Sequence, residues 1–191
     1  MSPRTRNYEI TFLVDGLTDD CIDSLYDDCD CLAGDDFEGR EFITMTCPGP
    51  DAFSAAKTAT TRLQCIGLTV LTTLPDLVTR SEIADRTKKS RQTVANWVNG
   101  KRGPNFPAAM ASSGGGIWLW GEVHRWLTDN DKPVRDRDLS YPTWEEHERI
   151  NAYLRMGARD VLGSTPRDRE YAEQYAKTSF QYLAREMVSR G

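Results

Sequence analysis

The chain is 191 residues long, with 39% hydrophobic and 9% aromatic side chains, enough for one large or two small folded domains. It has no apolar run long enough for a membrane span, which needs about 18 residues or more, and its opening MSPRTRNYEI lacks the apolar centre of a signal peptide, so a cytoplasmic protein is expected. The net charge of −5 divides unevenly: 13 acids against 5 bases up to Leu74 (−8), 9 bases against 6 acids from Pro75 to Lys132 (+3), and 10 of each thereafter. An acidic chain is poorly suited to coating DNA without regard to sequence. A basic middle suits a focused contact, because phosphate neutralisation is local.

In chain order, Tyr8, Ile10, Phe12 and Val14 alternate with Glu9, Thr11 and Leu13, the period of a half-buried strand. Thr18 or Asp19 can cap a short helix through Tyr26, with Ile22, Leu25 and Cys29 on one side. Cys31 to Phe37 suggests an edge strand, and Glu41 to Cys47 a strand with Ile43, Met45 and Cys47 facing one way. Pro48-Gly49-Pro50 breaks it. Asp51 caps a helix to about Ile66 whose face is Phe53, Ala56, Thr60 and Leu63; Gly67 stops it, and the β-branched run Leu68 to Leu74 is a last strand. The order βαββαβ over residues 1–74 predicts an α+β fold, a ferredoxin-like sandwich with an antiparallel sheet. A small effector can be imagined there only by analogy of fold.

The acidic cluster from Asp19 to Glu38 reads as a solvated face, as a docking surface for a basic protein partner, or as a mimic of DNA charge. It lacks the alternation and mid-loop Gly of a calcium loop. The five cysteines, Cys21, Cys29, Cys31, Cys47 and Cys65, read as reduced thiols. Cys29-x-Cys31 with Cys21 or Cys47 lacks the paired spacing of a structural zinc site, so no metal and no cofactor are expected.

Residues 75–132 form the second predicted domain, led by TRSEIADRTKKSRQTVANWVNG from Thr79 to Gly100. Thr79 and Glu82 make a capping box. Ile83 and Ala84 supply an apolar face, Ser90 caps a second helix, and Val94, Trp97 and Val98 share its buried side. Gly100 ends it in the manner of a left-handed cap. The opposite face carries Arg91, Gln92, Thr93 and Asn96. The following KRGPNFPAAMASSGGGIWLWGEVHRWL reads as a basic loop, a wing hairpin ending at Trp118-Leu119-Trp120 and a closing helix from Glu122 to Leu127. The Ser112–Gly116 run is either the tip of that wing or a plain loop. Trp97, Trp118, Trp120 and Trp126 suit core and wing packing, and His124 reads as a surface or hinge residue.

From Leu74 to Leu127 the chain resembles the winged helix-turn-helix proteins of the MerR and excisionase (AlpA-like) group. Its N-terminal element order is similar to the leading small α+β domains found before such modules in actinobacterial proteins. It departs from the family at Thr87-Lys88-Lys89, where the turn usually has Gly; a left-handed Lys costs on the order of 1 kcal/mol. The resemblance implies double-stranded DNA as partner. Arg91, Gln92, Thr93 and Asn96 would read base edges. Lys88, Lys89, Lys101 and Arg102 would hold phosphates, with Ser90 donating to one at the helix N-terminus. It also implies a homodimer on two half-sites and a nucleoid-associated location.

Lys132 to Ser140 reads as a linker. In residues 133–191 Thr143-x-x-Glu146 opens a helix to about Leu162, with Ile150, Tyr153, Leu154, Gly157 and Val161 as its stripe. Thr165-Pro166 starts another, with Tyr171, Tyr175, Thr178 and Tyr182 on one face. Such a helical hairpin is expected to pack on the DNA-binding domain or on its copy in a dimer. The leading functional expectation is a sequence-specific transcriptional regulator. An excisionase-like factor that bends DNA, and a protein-interaction module working through the acidic domain, are the alternatives. With His124 and His147 as the two histidines, no phosphate-binding Gly loop and no G-x-S-x-G, an enzyme is not expected.

Overall fold

The computed structural model describes residues 5–36, 38–112 and 115–161. The chain is α+β, with one main sheet and, among the described residues, six helices. The first six elements are β1 (Arg6–Asp15), α1 (Asp19–Asp28), β2 (Cys31–Asp35), β3 (Glu41–Gly49), α2 (Ala52–Cys65) and β4 (Thr69–Leu74). The strands lie in the order β2-β3-β1-β4, each pair antiparallel.

Local chemistry places these elements. Tyr8, Ile10, Phe12 and Val14 point from β1 into one core with Ile43, Met45 and Cys47 of β3, as a period of two requires. Thr18 caps α1 by accepting from the Cys21 amide, and Asp51 caps α2 by accepting from that of Ser54. Either cap contributes on the order of 1 kcal/mol. The buried side of α2 is Ala52, Ala55, Ala56, Ala59, Thr60 and Leu63, while Phe53 of the expected face is half-buried. A second helix packs beside it, meeting Phe53.

That helix is α6 (Trp144–Val161). Its Ile150 and Leu154 join the core of the sheet, and Tyr153 meets Phe53 edge-on at 5.5 Å. Where the sequence predicts packing on the DNA-binding domain or on its copy in a dimer, this helix packs on the main sheet. A polar clasp fixes the dock: Thr73 Oγ1 lies 2.7 Å from His147 Nδ1, and Asn151 Oδ1 accepts from the Thr73 amide and hydroxyl at 2.8 and 2.9 Å. The second predicted C-terminal helix, with its tyrosine stripe, lies outside the described residues. Ahead of α6, the two-residue strand β7 (Leu139–Ser140) runs parallel to Asn7 and Tyr8 of β1, so part of the expected linker is sheet.

Between β4 and β7 lie β5 (Leu77–Thr79), α3 (Arg80–Thr87), α4 (Arg91–Val98), β6 (Ile117–Leu119) and α5 (Trp120–Asp129). They surround a second core of Val78, Ile83, Val94, Val123 and Leu127 with all four of Trp97, Trp118, Trp120 and Trp126. No described helix is long and apolar enough to cross a membrane.

The start of α5 meets the chain returning to the sheet. A Cβ on Gly121 would lie 2.0 Å from the Pro142 carbonyl oxygen, so only glycine fits. Gly121→Ala should lower stability by about 1–3 kcal/mol through overpacking, measured by urea unfolding; an unchanged midpoint would mean the two segments do not touch. Burial also pushes the His147 pKa down to about 4, against about 6.5 unfolded. The unfolded chain therefore takes up a proton that the folded one refuses, so stability is full above about pH 6.5 and falls as pH drops towards 4. The loss over that window should be roughly 3 kcal/mol, and His147→Asn should flatten that part of the stability-versus-pH curve.

Candidate nucleic-acid interface

Two eight-residue helices are too short to persist alone, so α3 and α4 depend on caps and a shared core. Thr79 and Glu82 form a full capping box: the hydroxyl accepts from the Glu82 amide, and the Glu82 carboxylate accepts from the Thr79 amide at 2.7 Å. At the other end of α3 the Thr87 hydroxyl donates to the Ile83 carbonyl at 2.7 Å. Arg86 reaches back to Asp76 in a two-pronged ion pair, with Nη2 to Oδ1 at 2.9 Å, and its guanidinium lies 4.8 Å over the Trp120 ring. Burial opposes the Arg86 charge, yet the hydrogen bonds and charge of Asp76 outweigh it and hold its pKa above the ordinary value.

The turn between the helices is tight. Lys88 is left-handed (φ 54, ψ 37), and the Lys89 amide donates to the Ala84 carbonyl at 2.9 Å. Ser90 then caps α4 by accepting from the Thr93 amide at 3.2 Å. Val94 and Trp97 face Ile83 and Ala84 in the core. Gly100 (φ 69) turns the chain away, with the Lys101 amide donating to the Asn96 carbonyl at 2.8 Å.

The residues with predicted roles therefore fall on one outward-facing unit. Lys88, Lys89, Ser90, Arg91, Gln92, Lys101 and Arg102 are exposed, whereas Thr93 and Asn96 are half-buried. The Thr93 hydroxyl shares a 2.9 Å hydrogen bond with Ser90, and Gln92 Nε2 approaches Asn96 Oδ1 at 3.5 Å, so the two amides stand as neighbours one turn apart. The first turn of α4 contains no acidic side chain. Lys88, Lys89 and Arg91 thus surround a helix end that already carries partial positive charge. Such an arrangement opposes the helix and favours an external anion.

The loop after α4 is pinned by indoles. Trp126 Nε1 donates to the Pro104 carbonyl at 2.9 Å and Trp118 Nε1 to that of Pro107 at 3.1 Å, while Phe106 sits edge-on between the two rings. Gly103 (φ 121) passes so close that a Cβ would fall 2.6 Å from Trp126. The expected wing hairpin takes a different form. β6 pairs with β5, Val78 opposite Trp118, and its link to the preceding loop is the single bridge Ala111–Ile117, closed by the Met110 amide donating to the Ile117 carbonyl at 2.8 Å. Ser113 and Gly114, in the expected tip, lie outside the described residues. Trp120 belongs to α5 because its amide donates to the Asp76 carbonyl at 2.8 Å.

His124 is neither surface nor hinge. It is 6% exposed, its Nε2 is 3.2 Å from the Asp136 carbonyl, and its ring meets Tyr141 at 5.0 Å. Burial lowers its pKa, with Asp136 opposing. Arg80, to which no motif points, stacks 5.7 Å over Trp118 with its Nε buried and unpartnered; its place at the first position of a capped helix is the one signal the sequence offers. All five thiols are free, and no described group of three or more His, Cys, Asp or Glu is placed to hold a metal. Protein-family models, curated proteins and solved structures were compared with the chain, and none matches.

The left-handed Lys88 is a measurable strain. Lys88→Gly should raise stability by about 0.5–1 kcal/mol, the relieved Cβ clash less the added chain entropy, read from the thermal or urea midpoint. A loss of stability would show that the Lys88 side chain contributes more than its backbone costs.

Proposed function

We propose that the protein is a sequence-specific double-stranded DNA-binding regulator of the winged helix-turn-helix kind. The observation that carries this reading is the unneutralised positive end of α4, ringed by Lys88, Lys89 and Arg91 beside the exposed Lys101 and Arg102. With α4 in the major groove, Arg91 pairs with guanine, and Gln92 and Asn96 present amides to adenine. Thr93, half-buried, offers its methyl or hydroxyl at the groove floor. Lys88, Lys89, Ser90, Lys101 and Arg102 hold phosphates and fix register. The Ala111–Ile117 bridge with its small-residue tip serves as a minimal wing that approaches the flanking backbone through its amides.

The strand order β2-β3-β1-β4 with helices α1 and α2 in the crossovers favours a ferredoxin-like layout for the first domain. A homodimer is the natural form on DNA, placing two α4 helices about 34 Å apart on successive turns. Function in the nucleoid follows from the same reading.

Selection and sequencing of bound genomic fragments at moderate salt tests it. The wild-type protein should enrich one short, palindromic motif. Arg91→Ala/Gln92→Ala should lose that motif, each lost base pairing costing about 1–3 kcal/mol of discrimination. Lys101→Ala/Arg102→Ala should instead weaken binding to all sequences and reduce the slope of log K against log salt by about 1.8. Absence of any enriched motif with the wild-type protein would reject the reading.

A further inference from the structure

The edge of β1 that faces β4 and β7 has a gap. β7 pairs at Asn7 and Tyr8, and β4 pairs from Thr11 onward, so Glu9 and Ile10 meet neither. At this gap lies a cavity of about 250 Å³ between the sheet and the second core, bounded by Glu9, Thr11, Thr44, Asp76, Tyr141 and Pro142 among others. It is many times the space a single water needs and is roomy enough for a small organic group. Clefts between packed units are where small-molecule sites concentrate.

The charges around it are one-sided. Two carboxylates line the cavity, those of Glu9 and Asp76, and no Lys or Arg does. Asp76 is already paired with Arg86. Glu9 is half-buried, and its side chain has no hydrogen bond or ion pair among the described residues. Burial first, then the charges of Asp76 and Asp136, raise its pKa, with Arg86 only partly offsetting them. A half-desolvated carboxylate among other carboxylates is costly unless a cation joins it. The remaining walls are mostly apolar, from Ile10, Leu74, Pro75, Leu119 and Pro142; the hydroxyls of Thr11 and Thr44 are bonded to each other at 2.8 Å, and His147, whose pKa burial lowers, is bonded to Thr73 at 2.7 Å. Tyr141 also forms part of the wall, and an aromatic ring beside a cation adds to its binding.

We infer that this cavity is a binding site for a small organic cation, a primary ammonium or guanidinium group on a short apolar body, with Glu9 as its counter-ion. Glu9 takes the charge, Tyr141 flanks it, and Leu119 and Pro142 cover the apolar part. An anion is disfavoured by the two carboxylates, and a bare metal ion by the apolar walls and lack of clustered ligands. The assignment stands apart from DNA binding and is tested without DNA.

The test is thermal unfolding and calorimetric titration of the full chain with n-butylamine, phenethylamine and agmatine. Butan-1-ol and phenylacetate serve as neutral and anionic controls. At least one of the three cations should raise Tm and bind with a stoichiometry near one per chain, the controls should not, and Glu9→Gln should weaken the bound cation at least tenfold. Glu9→Gln removes an unpartnered charge and should leave the unliganded protein as stable or more stable. Glu9→Lys, which supplies a tethered ammonium, should fold and no longer respond to any of the amines. No response to the three cations, equal response to the controls, or undiminished binding by Glu9→Gln or Glu9→Lys would each overturn the assignment.

Discussion

The second half of the molecule depends on Asp76. Its carboxylate grips Arg86 at the end of α3, and its carbonyl accepts from the Trp120 amide at the start of α5. One residue after the main sheet thus holds two helices that are distant in sequence. Arg86 completes the arrangement by lying over the Trp120 ring, where a partly desolvated guanidinium gains from both the carboxylate and the π-face. Removing either partner would leave a half-buried charge alone, which costs more than the pair itself contributes. The β5–β6 ladder, the indole core and the seat of the helix pair all inherit their positions from this point.

That anchorage explains how α3 and α4 tolerate local chemistry that opposes them. Cations at the start of α4 work against its dipole, and Lys88 sits where glycine is preferred. Each costs on the order of 1 kcal/mol or less. Trp97, Val94 and Ile83 bury enough apolar surface to outweigh both, at about 1.5–3 kcal/mol for a fully buried aliphatic or aromatic side chain. Local preference yields to tertiary packing here, and departures of this sort concentrate where a surface has a task besides folding. Both departures fall on the face proposed to meet DNA.

The parts legible in the sequence were those whose signals are local. Alternation marks Tyr8 to Val14 and Ile43 to Cys47, and the caps at Thr18, Asp51, Thr79 and Ser90 lie within three residues of the amides they serve. The positions of Arg91 and Gln92 on an exposed face followed from the burial of Val94 and Trp97. Periodicity says which side of a helix is buried but not what it is buried against. The stripe Ile150, Tyr153, Leu154 was therefore readable, while its seat on β4 was not. That seat is decided by Thr73 meeting His147 and Asn151 across 74 and 78 residues. The two-residue β7 and the Ala111–Ile117 bridge are too short to leave a pattern. His124 reads as polar in sequence, and only Trp120, Tyr141 and the Asp136 carbonyl around it make it a core residue.

The same geometry ties the cavity to the helix pair. Asp76 contributes to the cavity wall and also holds Arg86, and the Leu119–Gly121 stretch that bounds it leads directly into α5. A cation beside Glu9 therefore sits near a carboxylate that is already shared with α3. It can move α3 only to the extent that it binds more tightly when Arg86 is released than when Arg86 is held. With both carboxylates available, one cation for each, the paired state of Asp76 and the occupied state of Glu9 are compatible. Occupancy then relieves the repulsion between Glu9 and Asp76 without drawing Asp76 away from Arg86. By this reasoning a bound cation stiffens the junction between sheet and helix pair, because it neutralises a carboxylate that repels Asp76.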